Sequence, residues 1–297
     1  MEGAANQHID EYRSMGTPVE HSRVLRANID DTGGLIAGQT RPGRMAFTLS
    51  GMGKLRIAGV IPARLNSTRL SRKVLRVIAG RPMVEWVWRA AAASGVMDTV
   101  FVATDSEEVA AACRERSIPS VMTSVECQSG SDRVREVARS IDADIYVNIQ
   151  GDEPTLTADF FPPLLALFDR AEVDVATLAV RCPALEIADP NAVKVVTAQD
   201  GRALYFSRAT IPFDRDRAGF AGYRKHLGIY AYRKAALERF AMLPPSWLER
   251  VERLEQLRLL DNGFDIYVAA APRDTIGVDT EADLVRAEAA LRKLAIS

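Results

Sequence analysis

The stretch IAGVIPARLNSTRLSRK, residues 57–73, passes from an apolar run into a polar loop that carries several cations. The run is short and rich in Ile and Val, which is typical of a strand buried on both faces. The cations of the loop are Arg64, Arg69, Arg72 and Lys73. A group of cations directly after a buried strand indicates an anionic ligand at the carboxyl end of that strand.

The positive charge of this loop is local. The 297-residue chain has 38 Lys and Arg against 39 Asp and Glu, so its net charge is -1. Such a chain lacks the broad positive field that holds nucleic acid or anionic membranes, and no apolar run reaches the ~20 residues of a membrane span. We therefore expect neither nucleic acid nor a membrane as a partner. The three cysteines form no CxxC pair, which predicts a reducing, cytoplasmic location and no zinc site.

The sequence predicts two regions. Residues 1–54 show no sustained apolar period and no signal-peptide core, so we interpret them as an extension outside the folded domain. Because Met45 and Met52 lie inside this segment, a start of translation at one of them is an equal alternative for part of it. From residue 55 to 297, short β-branched runs alternate with amphipathic segments of helical length, which predicts a single α/β domain with a largely parallel sheet. Predicted strands cover 55–61, 99–104, 120–123, 144–150 and 174–180, followed by a hairpin over 192–207 and strands in HLGIYAY and FDIYVAAA. The segment 247–263 is predicted as one long helix.

Polar loops follow three of the predicted strands. PARLNSTRLSRK follows the first, ATD the second and QGDEP the fourth. In an open parallel sheet these loops meet at one edge, where ligands bind. Neither GxGxxG nor GxxxxGK[ST] is present, so a phosphate ligand would be held by side chains and backbone donors of the first loop.

Two carboxylates are candidate metal ligands. Asp152 of QGDEP follows a strand, where its oxygens suit Mg²⁺, although an aspartate there could also cap a helix. Asp279 of GVDT offers a second carboxylate, with the same alternative.

Nine blocks from residue 55 to about 293 together resemble the 3-deoxy-manno-octulosonate (Kdo) cytidylyltransferase family, also called CMP-Kdo synthetases. They are PAR with STRL and Lys73, ATD, QSGSDR, NIQGDEP, PNAVKVV, ALYFSRATIP, KHLGIYAYR, LEQLRLL and GVDT. The resemblance implies a Rossmann-like, three-layer α/β/α nucleotidyltransferase fold with a mixed, mainly parallel sheet and an inserted β-hairpin. It also implies transfer of CMP from CTP to Kdo for lipopolysaccharide synthesis, with Mg²⁺, by a cytoplasmic homodimer.

The resemblance assigns roles to individual residues. Arg64, Lys73, Asp152 and Asp279 are the implied catalytic residues, and the two aspartates are the implied Mg²⁺ ligands. The implied nucleotide-binding residues are Arg64, Ser67, Thr68, Lys73, Thr104, Asp105, Ser129, Gly130, Arg133, Gln150 and Gly151. The implied sugar-binding residues are Gln150, Tyr205, Arg208, His226, Tyr230, Glu255 and Gln256. A guanidinium suits a sugar-acid carboxylate, and the carboxyl, amide and phenol groups suit its hydroxyls.

One departure from the family and three alternatives bear on this interpretation. Where the family usually has Leu-Pro-Gly-Lys, this chain has Leu70, Ser71, Arg72 and Lys73, and we expect Arg72 to turn outward. The alternative substrates are an 8-amino analogue of Kdo and a sialic acid. The third alternative is a non-catalytic nucleotide-binding protein.

Overall fold

The computed structural model of this chain describes residues 55–65, 70–127 and 129–294. The predicted extension at 1–54 lies outside these ranges. The strands are β1 (Ile57–Pro62), β2 (Val77–Ile78), β3 (Arg81–Pro82), β4 (Thr99–Thr104), β5 (Ser120–Met122), β6 (Ile145–Asn148), β7 (Val175–Arg181), β8 (Lys194–Thr197), β9 (Ala203–Ser207), β10 (Arg224–Arg233) and β11 (Ile266–Ala270). The α-helices are α1 (Met83–Ala93), α2 (Glu107–Arg114), α3 (Gly130–Ser140), α4 (Phe161–Leu165), α5 (Lys234–Met242), α6 (Trp247–Glu252), α7 (Gln256–Asp261) and α8 (Glu281–Leu294).

The main sheet is mixed, as predicted. Its strand order is β11-β7-β10-β6-β1-β4-β5. β1 pairs in parallel with β4 and β6, whereas β10 runs antiparallel to both β6 and β7. β8 and β9 form the predicted hairpin, which joins the sheet through β8 and β10. The carboxyl ends of β1, β4 and β6 therefore lie at one edge, where the sequence places its polar loops.

Helices cover both faces of this sheet. Consecutive residues of a strand point to opposite faces. Val60 packs in a core cluster with side chains of α3, α5 and α7, and its neighbour Ile61 packs in another with side chains of α1, α2 and α4. The two clusters confirm the predicted three-layer α/β/α arrangement.

A third apolar cluster lies beside the polar edge. Leu284, Ala287 and Leu291 of α8 pack in it with Leu70 and Val278. Leu70 lies three residues before Lys73, and Val278 lies directly before Asp279. This packing therefore anchors the two segments that carry Lys73 and Asp279.

The predicted long helix over 247–263 is wrong. Two short helices, α6 and α7, replace it, because Arg253 adopts the left-handed conformation with φ 55° and ψ 46° and ends α6. After this break Leu254 and Leu257 are buried in the core, while Glu255 lines the principal cavity of the described residues. None of the helices in the described ranges is both long and apolar enough to cross a membrane.

We expect Arg253→Gly to raise the free energy of unfolding by up to about 1 kcal/mol. The left-handed conformation costs an L-residue roughly 1–2 kcal/mol, and glycine avoids this cost. Glycine also gives the unfolded chain more conformational entropy, which cancels part of the gain. The matched control is Arg250→Gly, an exposed position inside α6, which should lower the free energy of unfolding by about 1 kcal/mol. Urea denaturation measures both variants, and equal losses would contradict the role assigned to Arg253.

Candidate active site

A cavity of about 1000 Å³ opens beyond the carboxyl end of β6. Eight of the residues assigned to the site by sequence line it together: Gln150, Asp152, Arg208, His226, Tyr230, Glu255, Gln256 and Asp279. They come from five separate parts of the chain, so the fold brings together what the sequence keeps apart. The cavity is large enough for a sugar-sized or nucleotide-sized ligand.

Lys73 lies between the two candidate metal ligands. Its Nζ is 2.7 Å from Oδ2 of Asp152 and 3.0 Å from Oδ1 of Asp279. A backbone hydrogen bond from Val278 N to Asp152 O, 2.9 Å, holds the two acidic loops side by side. Two carboxylates separated by 127 residues of sequence (279 minus 152) thus converge on one cation.

The charges of this group favour a cation between the carboxylates. Burial lowers the pKa of Lys73, but the pull of Asp152 and Asp279 outweighs it, so that the pKa is raised above its ordinary value. Carboxylate oxygens are the donors that Mg²⁺ prefers, and Mg²⁺ in nucleotide sites is commonly held by one or two carboxylates plus phosphates. The pair therefore fits Mg²⁺, and the described residues contain no cluster of three or more acidic, His or Cys side chains that could hold a metal.

Arg208 follows β9 and projects along one wall of the cavity. Its guanidinium donates to three backbone carbonyls: Nε to Glu252 O at 2.7 Å, Nη1 to Pro190 O at 3.0 Å and Nη2 to Arg253 O at 3.4 Å. A guanidinium has five N–H donors, so two remain for a ligand. Its orientation is fixed by the backbone, which suits it to bind a carboxylate in a set geometry.

His226 is half-buried in the cavity wall. Its Nε2 is 2.9 Å from Oγ1 of Thr177, whose own proton is directed to Ile229 O at 2.7 Å. Burial lowers the pKa of His226 to about 3, so the ring is neutral at physiological pH. Its edge packs on Phe206, with ring centroids 5.0 Å apart. His226 can therefore offer a neutral hydrogen-bonding group, but it is a poor proton acceptor.

Glu255 joins the sugar-side wall to the start of α3. Its Oε2 accepts a hydrogen bond from Ser131 Oγ at 3.0 Å, and burial raises its pKa above the ordinary value. Ser129 caps α3 and forms a capping box with Asp132. The buried Nε2 of Gln256 has no hydrogen-bond partner among the described residues, and the buried Oδ1 of Asn148 has none either. Both residues line the cavity, so a polyol would satisfy these atoms.

Several residues assigned to the nucleotide have structural partners instead. Arg133 is fully buried and donates to Asp105 and Thr123, both at 2.6 Å, so it ties α3 to the end of β4. The side chain of Thr104 is buried, and its Oγ1 accepts from Ser106 N at 3.1 Å. The side chains of Arg133 and Thr104 are thus enclosed by protein, and their assignment to the nucleotide stays a prediction.

The two assigned glycines lie where chain segments approach closely. A Cβ on Gly151 would lie 2.8 Å from the carbonyl oxygen of Pro62, and one on Gly130 would lie 3.4 Å from the Pro62 ring. Both glycines therefore let the loops after β6 and before α3 pack against the end of β1.

The remaining assigned residues divide into three cases. Tyr205 on β9 does not line the cavity and packs instead against the core cluster of α3, α5 and α7. Arg64 lies exposed just after β1. Ser67 and Thr68 lie outside the described residues. Arg72 turns outward, as expected, and pairs with Glu108 of α2.

The structure adds functional candidates that the sequence reasoning missed. Glu153 lies beside Asp152 with its Oε2 buried, and desolvation together with that negative charge raises its pKa to about 7. Lys225 lies 2.7 Å from Glu186 and 3.0 Å from Asp274 at the far side of the cavity. Glu153 and Lys225 belong to the blocks NIQGDEP and KHLGIYAYR, so their place in these blocks was a usable signal.

Comparison with known proteins identifies a family to which this chain is similar. Residues 58–266 match the family model described as cytidylyltransferase. A 3-deoxy-manno-octulosonate cytidylyltransferase from Acidobacterium capsulatum is 67% identical over 233 residues, which cover 78% of this chain and 95% of the relative. One from Koribacter versatilis is 54% identical over 240 residues, covering 81% of this chain and 92% of the relative.

A solved structure supports the same grouping. A CMP:2-keto-3-deoxy-manno-octonic acid synthetase complexed with CTP superposes with a TM-score of 0.77 at 41% identity, covering 80% of this chain and 99% of that one. The matches span most of the length of each relative. This chain therefore belongs to the 3-deoxy-manno-octulosonate cytidylyltransferase family.

Proposed function

We propose that this chain transfers CMP from CTP to the anomeric 2-hydroxyl of Kdo and releases pyrophosphate. The observation that carries the proposal is the convergence, in one cavity, of a two-carboxylate cation site with a guanidinium and a set of polar groups. The first arrangement suits a nucleotide triphosphate with Mg²⁺, and the second suits a polyol with a carboxylate. A homodimer, a cytoplasmic location and a role in lipopolysaccharide synthesis rest on the family resemblance alone.

The reaction is an in-line displacement. The sugar oxygen forms a bond to the α-phosphorus of CTP, the bond from that phosphorus to the pyrophosphate oxygen breaks, and the hydroxyl proton passes to solvent. Arg208 holds the sugar carboxylate, and Lys73 with Arg64 neutralises the charge that develops on pyrophosphate. Asp152 and Asp279 would hold Mg²⁺, which when bound lowers the pKa of the attacking hydroxyl and neutralises phosphate charge. His226 stays neutral and positions a sugar hydroxyl.

A substrate panel tests this proposal. Pyrophosphate release should require CTP, Mg²⁺ and Kdo, with kcat/KM for Kdo at least about tenfold above that for its 8-amino analogue or a sialic acid. A higher value for the 8-amino sugar would reassign the substrate. No release with any sugar acid, despite CTP binding, would leave a nucleotide-binding protein.

Asp152→Asn should lower kcat at least ~100-fold, the scale expected when a main electrostatic stabiliser of the transition state is removed. The matched control is Asp159→Asn, because Asp159 pairs with Arg273 at the surface and does not line the cavity. Steady-state kinetics at saturating Mg²⁺ measure both variants, and circular dichroism checks the fold. Turnover near that of the unmodified chain would remove Asp152 from the metal site.

Lys73→Ala and Arg72→Gly should differ strongly, although the residues are neighbours. The cation of Lys73 faces the carboxylates, so its loss should lower kcat/KM for CTP roughly 100-fold or more. Arg72 is 60% exposed and pairs with Glu108, so Arg72→Gly should change the same quantity less than about tenfold, and less still at high salt. Equal losses would mean that Arg72 reaches the triphosphate when it binds.

A further inference from the structure

Lys194 is a buried cation beside the sugar side of the cavity. It lies on β8, its side chain is 0% exposed, and it forms no ion pair with a carboxylate in the described part of the chain. Its Nζ donates to three backbone carbonyls, Ala192 O at 2.6 Å, Arg208 O at 2.7 Å and Asp189 O at 2.8 Å. An ammonium group has three N–H donors, so all of them are used.

Such a residue is costly for a fold. A buried ammonium loses its hydration, and carbonyl dipoles replace only part of it. Burial accordingly lowers the pKa of Lys194 below the ordinary lysine value. An apolar side chain of similar length would avoid this cost, so what distinguishes lysine here is the set of three hydrogen bonds that it makes.

The three carbonyls that Lys194 binds belong to Arg208 and to the turn on which its guanidinium rests. One is the carbonyl of Arg208 itself. The other two belong to the turn 189–192, and Pro190 of this turn accepts a hydrogen bond from Nη1 of Arg208 at 3.0 Å. Lys194 thus fixes both the backbone from which Arg208 extends and a carbonyl on which its guanidinium rests.

A second side chain, that of Glu252, binds the backbone N–H of Arg208. Oε2 of Glu252 accepts from Arg208 N at 2.9 Å, and its Oε1 accepts from Ser207 Oγ at 2.6 Å. The N–H and the C=O of Arg208 are therefore both bound by buried or half-buried charged side chains. A loop residue held in this way keeps one direction for its guanidinium.

We propose that Lys194 is a positioning residue for recognition of the sugar-acid carboxylate, acting through Arg208 and the turn 189–192. This inference rests on the proposed function, in which Arg208 binds the carboxylate of Kdo. A bidentate contact requires the fork to lie within about 0.5 Å of its productive position, so a loosened Arg208 loses sugar binding before it affects the nucleotide.

The test is Lys194→Met, which keeps an unbranched side chain one atom shorter and removes its donors. KM for Kdo should rise at least about tenfold, while KM for CTP stays within about twofold. The matched control is Val195→Ala on the same strand, where Val195 is buried in the core cluster of α3, α5 and α7. This control should lower Tm through a cavity, with KM for Kdo within about twofold of its starting value.

Arg208→Lys, measured in parallel, distinguishes the role of Arg208 as the carboxylate ligand from the role of Lys194 as its positioning residue. If Arg208→Lys leaves KM for Kdo unchanged, the proposed carboxylate ligand is wrong, whatever Lys194 does. If Arg208→Lys raises this KM and Lys194→Met does not, the positioning role alone is overturned. An equal rise of KM for Kdo in Lys194→Met and Val195→Ala also overturns it, because the effect is then one of general stability.

Should Lys194→Met fail to fold, Lys194→Gln takes its place. Its amide keeps two donors without charge, so KM for Kdo should rise at least about threefold with KM for CTP unchanged. An unchanged KM for Kdo in this variant would overturn the proposal in the same way.

Discussion

The site depends on the pairing of one ammonium group with two carboxylates. Asp152 and Asp279 repel each other, and in a half-buried place this repulsion is poorly screened. Lys73, only 12% exposed, pairs with both carboxylates and offsets one of their two negative charges. The apolar cluster that contains Leu70 and Val278 supports this arrangement from the other side. A loop after β1, a loop after β6 and the start of α8 are thereby fixed relative to one another. In the proposed reaction the same two carboxylates would hold Mg²⁺.

On the sugar side of the cavity, the cations Arg208 and Lys194 are bound by backbone carbonyls. Within the described ranges the guanidinium of Arg208 forms no ion pair with a carboxylate that a ligand would have to displace. A guanidinium paired with a carboxylate would have to exchange partners on binding, whereas one held by neutral carbonyls keeps its charge for the ligand. The break at Arg253 contributes to this, because it exposes the last carbonyls of α6 to Arg208.

The sequence predicted the sheet well because parallel strands leave a strong apolar signal. β4 has the predicted bounds, and β1, β6 and β7 differ by one or two residues at their ends. The break after α6 could not be predicted, since the apolar spacing continues across Arg253 and left-handed arginine has no sequence signal. The hairpin of β2 and β3 was also missed, because two-residue strands are too short to show alternation.

Some of the assigned side chains face the cavity, whereas others in comparable motifs are enclosed by protein. Motif membership cannot separate these cases. Arg133 of QSGSDR is enclosed by Asp105 and Thr123, whereas Asp152 of NIQGDEP is open to the cavity.

The loop at 70–73 shows the same division within four residues. Leu70 is buried, Lys73 faces the carboxylates, and Arg72 adopts φ 55° where the family usually has glycine. This conformation costs an L-residue roughly 1–2 kcal/mol, and the exposed pair with Glu108 returns at most about 1 kcal/mol. The backbone turn before Lys73 is therefore one that glycine favours, although this chain has an arginine there.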